Sequence, residues 1–104
     1  AGAEAVILVG PNSVALMKKT ERQPSPEELE LWAGDVDIVI REGFKQEGSN
    51  RIEVFRGGVS GEQPLCVNDR SIIALVSSVP ITVAIPRFDW NDAGAVADFI
   101  LTKF

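Results

Sequence analysis

The sequence predicts an α/β domain, a mixed and mostly parallel β-sheet accompanied by two helices. Three observations carry that expectation. The runs Val6-Ile7-Leu8-Val9, Ile38-Val39-Ile40 and Ile72-Ile73-Ala74-Leu75-Val76 lack polar alternation, the pattern of strands buried on both faces in a helix-covered sheet. Ser25-Pro26-Glu27-Glu28 combines an N-cap serine, a proline at the first helical position and a glutamate that closes a capping box. Arg51 to Arg56 alternates, with Ile52, Val54 and Arg56 on one face and Glu53 and Phe55 on the other, as expected of a strand near a sheet edge.

Taken in order, Ala5 to Val9 is a β-prone run stopped by Gly10-Pro11-Asn12, and Ser13 to Met17 is a second. So short a link predicts adjacent strands joined as a hairpin. Lys18 to Pro24 reads as a polar loop. The first helix starts at Ser25, with Leu29, Trp32 and Ala33 as its apolar stripe and Gly34 placed to end it. The run Ile38-Val39-Ile40 predicts a buried strand, followed by a polar turn at Gln46 to Asn50. Gly57 to Asp69 is a long loop with Gly57-Gly58, Gly61 and Pro64. Ser71 to Ser77 and Ile81 to Ile85 predict two more strands, the second closed by Pro86. Asp92 or Asn91 caps a final helix with the stripe Val96, Phe99, Ile100 and Phe104. About six strands and two helices leave much of a twisted sheet without helical cover. The sequence therefore reads as a piece of a larger protein or as one copy of an assembly.

The chain has 104 residues, 45% hydrophobic and 24% charged, which predicts one small globular domain. No apolar stretch approaches the roughly 20 residues of a membrane span, so no membrane partner is expected. Net charge is −5 with the ten Lys and Arg dispersed, and without a basic stripe nucleic acid is not an expected partner either. The single cysteine, Cys66, excludes an internal disulfide and fits a reducing cytoplasm. There is no histidine, which removes Ser-His and Cys-His nucleophile pairs and most zinc sites.

The chemistry gathers at Asp37-Ile38-Val39-Ile40-Arg41-Glu42-Gly43-Phe44-Lys45. An apolar strand ending in an acid is the Walker B arrangement, in which the carboxylate holds Mg²⁺ beside bound phosphates. Its companion, Gly-x-x-x-x-Gly-Lys-Ser/Thr, does not occur in the sequence. Gly57-Gly58-Val59-Ser60-Gly61 lacks the Lys-Ser/Thr pair and precedes no helix start. Two readings stay open: Glu42 and Lys45 flank a ligand, or they form a surface ion pair contributing only about 0–1 kcal/mol. Asp69 and Arg70 read as solvated surface, and Trp32 and Trp90 as core or interface anchors.

As an ordered set, Ala1-Gly2-Ala3, Glu42-Gly43-Phe44-Lys45, Ile52-Glu53-Val54, Pro64-Leu65-Cys66, Ile72-Ile73-Ala74, Phe88-Asp89 and Asn91-Asp92 before Ala97-Asp98-Phe99-Ile100 resemble the C-terminal part of the MobB family, the molybdopterin-guanine dinucleotide biosynthesis adaptors. The resemblance covers nearly the whole chain, and Glu-Gly-Phe-Lys is its most specific block. It implies the C-terminal part of a P-loop NTPase-like fold, binding of GTP and Mg²⁺ by the full-length protein, at most weak GTPase activity, and a homodimer. The implied partner is the nucleotidyltransferase that joins GMP to molybdopterin. The resemblance places Glu42 on the Mg²⁺ side of the nucleotide, with Gly43 and Lys45 lining the same pocket. The family's phosphate loop belongs to an N-terminal half expected before Ala1, so the 104 residues alone are expected to bind no nucleotide. The alternative is a stand-alone interaction or dimerisation module that has lost the nucleotide. The chain departs from the family at Arg41, where the residue before the Glu is usually apolar. It also departs at Ser77-Ser78, where the family carries an acid after the Ile-Ile-Ala strand.

Overall fold

A computed structural model describes residues 2–43 and 48–104. Its contacts divide the chain into two compact units, Ala1–Glu42 and Gly43–Phe104.

In the first unit, β1 (Ala5–Val9) pairs antiparallel with β2 (Val14–Lys18), Val9 opposite Val14 and Ala5 opposite Lys18. The hairpin closes where the Gly10 N–H donates to the Ser13 carbonyl at 2.8 Å. Helix α1 (Pro26–Ala33) carries the complete capping box, Ser25 Oγ accepting the Glu28 N–H and Glu28 accepting the Ser25 N–H. Gly34 ends it at φ 78°.

Two expectations fail in this unit. Residues 38–40 form no strand, and Ile40 is 80% exposed. An apolar triplet becomes a strand only where a neighbour supplies a hydrogen-bond ladder, and among the described residues none pairs with it. Strand β1 is a strand but is not buried on two faces: Val6, Ile7, Leu8 and Val9 are all exposed. Its apolar residues reflect what a hairpin of this composition would bury, not what covers it within these residues.

The second unit holds the parallel sheet. Strands β3 (Arg51–Phe55), β4 (Ile72–Ser77) and β5 (Arg87–Asp89) run parallel in the order β3-β4-β5. The alternating strand is at the edge and the continuous apolar strand is central, as the sequence predicts. Ala74 and Leu75 in β4 are 0% exposed, and with Phe55, Ile72 and Val76 they form the core. Helix α2 (Ala93–Lys103) begins where Asp92 Oδ1 accepts the Ala95 N–H at 3.0 Å. The Phe99 ring lies 5.4 Å from that of Phe88 in β5, within the range of a favourable aromatic pair. Ile81 to Ile85 is not a strand, because the third parallel strand forms after Pro86 at Arg87–Asp89. A 3-10 turn (Leu65–Val67) interrupts the loop between β3 and β4. The α/β architecture with a parallel sheet and two helices is therefore as expected, while the antiparallel pair forms a sheet of its own.

Candidate functional site

Glu42 is exposed at the end of the first unit and, with 38–40 irregular, does not terminate a strand. Gly43 is exposed at φ 92°, a left-handed conformation that only glycine adopts cheaply. Lys45, the third predicted site residue, lies outside the described residues, as do Phe44, Gln46 and Glu47.

In parallel sheets, ligands gather beyond the carboxyl ends of the strands. Here that edge is the row Phe55, Ser77 and Asp89, aligned by register across β3, β4 and β5. The loops leaving it are bound together. The Ser78 N–H donates to the Phe55 carbonyl at 3.3 Å, and its hydroxyl donates to the Arg56 carbonyl. The Trp90 N–H donates to the Ser77 carbonyl at 3.1 Å. Ser77 is fully buried, yet its Oγ accepts from Arg87 Nε at 2.8 Å and donates to the Val79 carbonyl at 2.7 Å. Arg87 Nη2 reaches the Ser77 and Val79 carbonyls at 3.1 and 2.7 Å. A buried hydroxyl with both capacities filled avoids the penalty of an orphaned polar group. Sequence reading assigned Arg87 no role. The local sequence gives no sign of it, because its hydrogen-bond partners Ser77 and Val79 lie ten and eight residues away.

The opposite edge is held by Arg51, half-buried, which donates through Nε to Ser71 Oγ at 2.9 Å and through Nη2 to Asp69 Oδ2. Asp69 also accepts the Ser71 N–H and hydroxyl at 3.0 and 2.6 Å. These bonds, from Ser71 first and Arg51 after it, hold the Asp69 carboxyl below the usual aspartate range. Asp69 is thus an anchor of the β3–β4 pair, where the sequence had read solvated surface. The Asp-x-Ser spacing was its available signal, since Asx side chains bond the backbone two residues on.

Glu53 accepts the N–H groups of Leu65 and Cys66 at 2.7 and 2.9 Å, tying the start of the 3-10 turn to β3. Burial, and then the Glu53 charge, push the half-buried Cys66 thiol up from its ordinary value, which makes it less thiolate-like and less reactive. Beside it is a hollow of about 260 Å³ lined by Cys66, Val67, Thr82, Val83, Ala84 and Ile85. A second, about 170 Å³, is lined by Val6, Leu8, Ala15, Leu16 and Met17 on the hairpin. Both fall below the roughly 300–1,000 Å³ of most small-molecule sites. Among the described residues no group of three or more Asp, Glu, Cys or His side chains converges, and no helix is long and apolar enough to cross a membrane.

The profile of the family described as molybdopterin guanine dinucleotide synthesis protein B, MobB, matches residues 1–78. The chain belongs to this family. It is 34% identical over 108 aligned positions to the molybdopterin-guanine dinucleotide biosynthesis adapter protein of Escherichia coli K12, covering 97% of this chain and 60% of that protein. The protein of the same name from Haemophilus influenzae is 31% identical over 105 positions, covering 96% of this chain and 56% of that protein. The chain thus spans somewhat more than half the length of these MobB relatives. Both relatives are named as adapter proteins of molybdopterin-guanine dinucleotide biosynthesis.

Proposed function

We propose that the chain is part of a GTP-binding adaptor that assists attachment of GMP to molybdopterin, working in the cytoplasm beside the nucleotidyltransferase. The observation that carries this reading is the MobB match across residues 1–78, which includes Glu42, Gly43 and Lys45. Glu42 supplies the Mg²⁺-side carboxylate: it is exposed, and a hard cation of this kind takes one or two carboxylates, waters and phosphate oxygens. Mg²⁺ would neutralise phosphate charge there. Gly43 lets the chain turn close to the nucleotide, and Lys45 adds a cation toward the phosphates. The 104 residues contain no Gly-x-x-x-x-Gly-Lys-Ser/Thr, so alone they hold nucleotide weakly.

The exposed hairpin supports a second, compatible reading, an interaction or homodimerisation module. Ile7, Val9, Val14 and Leu16 lie on one face of β1–β2 by register, and Val6, Leu8, Ala15 and Met17 on the other. Two apolar faces on one ribbon are costly to leave in water. Calorimetric titration of the chain into a MobB-dependent molybdopterin nucleotidyltransferase tests the adaptor reading. Saturable heat that is lost in the Leu8→Glu variant supports docking through the hairpin. Saturable heat unchanged in that variant keeps the adaptor and removes the hairpin from it. No heat with the natural gene product that contains these residues overturns the adaptor reading.

A further inference from the structure

We infer that Arg87 is a positioning residue of the carboxyl edge, which acts through Val79 to fix the shape of the glycine loop after β3. The inference bears on function because it rests on reading that edge as the ligand-facing side of a MobB sheet, although the latch itself is a matter of geometry.

One chain of contacts runs across three segments. Arg87 opens β5, paired in register with Leu75, and sends its guanidinium to the turn that leaves the central strand. Its Nη2 bonds both the Ser77 and Val79 carbonyls, and its Nε bonds Ser77 Oγ. The Val79 carbonyl is held twice, because Ser77 Oγ also donates to it. Fixing the Val79 backbone fixes its side chain, and that side chain fills the space beside Gly57. A Cβ at Gly57 would stand 2.6 Å from Val79 Cγ2 and 3.3 Å from Cγ1. Gly57 has φ 67°, so neither its backbone nor its surroundings admit another residue easily. Ser78 closes the circuit by bonding the Phe55 and Arg56 carbonyls of the strand that leads into the glycine loop.

A planar guanidinium is required for this. Lysine keeps the charge but presents one nitrogen, which cannot span Ser77 Oγ and two carbonyls in a fixed fork. Arg51 is the natural control. It ties two strands together at the opposite edge of the same sheet, through Ser71 and Asp69. A merely stabilising Arg87 would loosen the whole sheet when replaced, whereas a positioning Arg87 loosens the carboxyl edge selectively.

The test is ¹⁵N relaxation and amide exchange on the purified chain and its Arg87→Lys, Val79→Ala and Arg51→Lys variants. In the unaltered chain, Gly57 and Gly58 are expected to have order parameters near the rigid value of about 0.85. In Arg87→Lys and Val79→Ala they fall below about 0.6, and the Ser78 amide exchanges about ten-fold faster or more. Amides of the Ile52–Val54 and Ala74–Val76 ladder stay within about three-fold, and Arg51→Lys leaves Gly57 and Gly58 rigid. If Arg87→Lys does not fold, Val79→Ala alone must give the same pattern. The inference is overturned if Gly57 and Gly58 are already mobile in the unaltered chain, keep their order in the variants, or loosen equally with the opposite edge. Failure of the gene product to bind nucleotide would count against the proposed function and leave this result standing.

Discussion

The Glu28 carboxylate accepts the main-chain N–H of Ser25 at 2.9 Å while Ser25 Oγ accepts the N–H of Glu28 at 3.2 Å. Arg22 grips the same carboxylate through both terminal nitrogens, at 2.5 and 3.0 Å. One acid therefore starts α1 and pins the loop before it. Replacing Ser25 by alanine removes one half of this exchange and is expected to destabilise α1 by about 1 kcal/mol. Amide exchange over residues 26–33 would register the loss.

The same pair sets a pH dependence. The Arg22 hydrogen bond, then the Ser25 N–H, hold the Glu28 carboxyl down at about 2, against an ordinary 4.5. A carboxylate with a depressed folded value stabilises above its unfolded value, and that contribution disappears as pH falls through the folded one. The helix start should therefore weaken between about pH 4.5 and 2. Because the group is exposed, salt should shrink the effect. A carboxyl ¹³C titration showing Glu28 at an ordinary value would contradict this.

Gly57 and Gly58 both have positive φ, at 67° and 100°, but only Gly57 faces a side chain. Nothing lies within 4 Å of a Cβ added at Gly58, whereas Val79 blocks one at Gly57. Gly58→Ala should cost about 1 kcal/mol from backbone strain, and Gly57→Ala clearly more. Combining Gly57→Ala with Val79→Ala should recover part of the difference. Urea unfolding with equal losses at the two glycines would contradict the packing argument.

Glu53 should control Cys66. Burial is the first cause of the raised thiol and the Glu53 charge the second, so Glu53→Gln should lower the Cys66 pKa without returning it to the ordinary value. The pH profile of iodoacetamide alkylation measures this directly. An unshifted profile would remove Glu53 from the account. The same variant weakens the two N–H bonds that seat the 3-10 turn, at about 1–3 kcal/mol.

Leu8 and Met17 are 68% and 76% exposed, so Leu8→Glu or Met17→Glu should change the stability of a single chain by little, within about 0.5 kcal/mol. If the ribbon is a homodimer surface, either variant shifts light scattering from dimer toward monomer. A unaltered chain that is a strict monomer at high concentration would refute the dimer.

What could be read from the sequence divides along physical lines. The Ser25–Glu28 cap, the hairpin link at Gly10-Pro11-Asn12 and the Asp92 cap were legible because their determinants lie within a few residues of one another. Ile72–Ser77 was legible because its burial on both faces leaves a continuous apolar run. Ile38-Val39-Ile40 and Ile81–Ile85 have the same composition, but a strand also needs a partner in register. In the sheet that position beside Leu75–Ser77 goes to Arg87–Asp89. The long-range anchors Arg87, Arg51 and Glu53 were invisible for the same reason, since the hydrogen bonds that make them anchors, to Val79, Ser71 and Cys66, span eight to twenty residues. Of the expected site, Glu42 is the last residue of the first unit and Gly43 the first of the second, and their proposed role comes from family membership, not from a pocket.

The most direct test of the proposed role is calorimetry with GTP and Mg²⁺ on three samples: the 104-residue chain, the natural gene product that contains it, and that product carrying Glu42→Gln. The expected outcome is no saturable binding by the chain alone, micromolar binding by the gene product, and loss of the Mg²⁺-dependent part of that binding in the variant. Micromolar binding by the 104 residues alone, or a Glu42→Gln variant that binds GTP and Mg²⁺ unchanged, would contradict it.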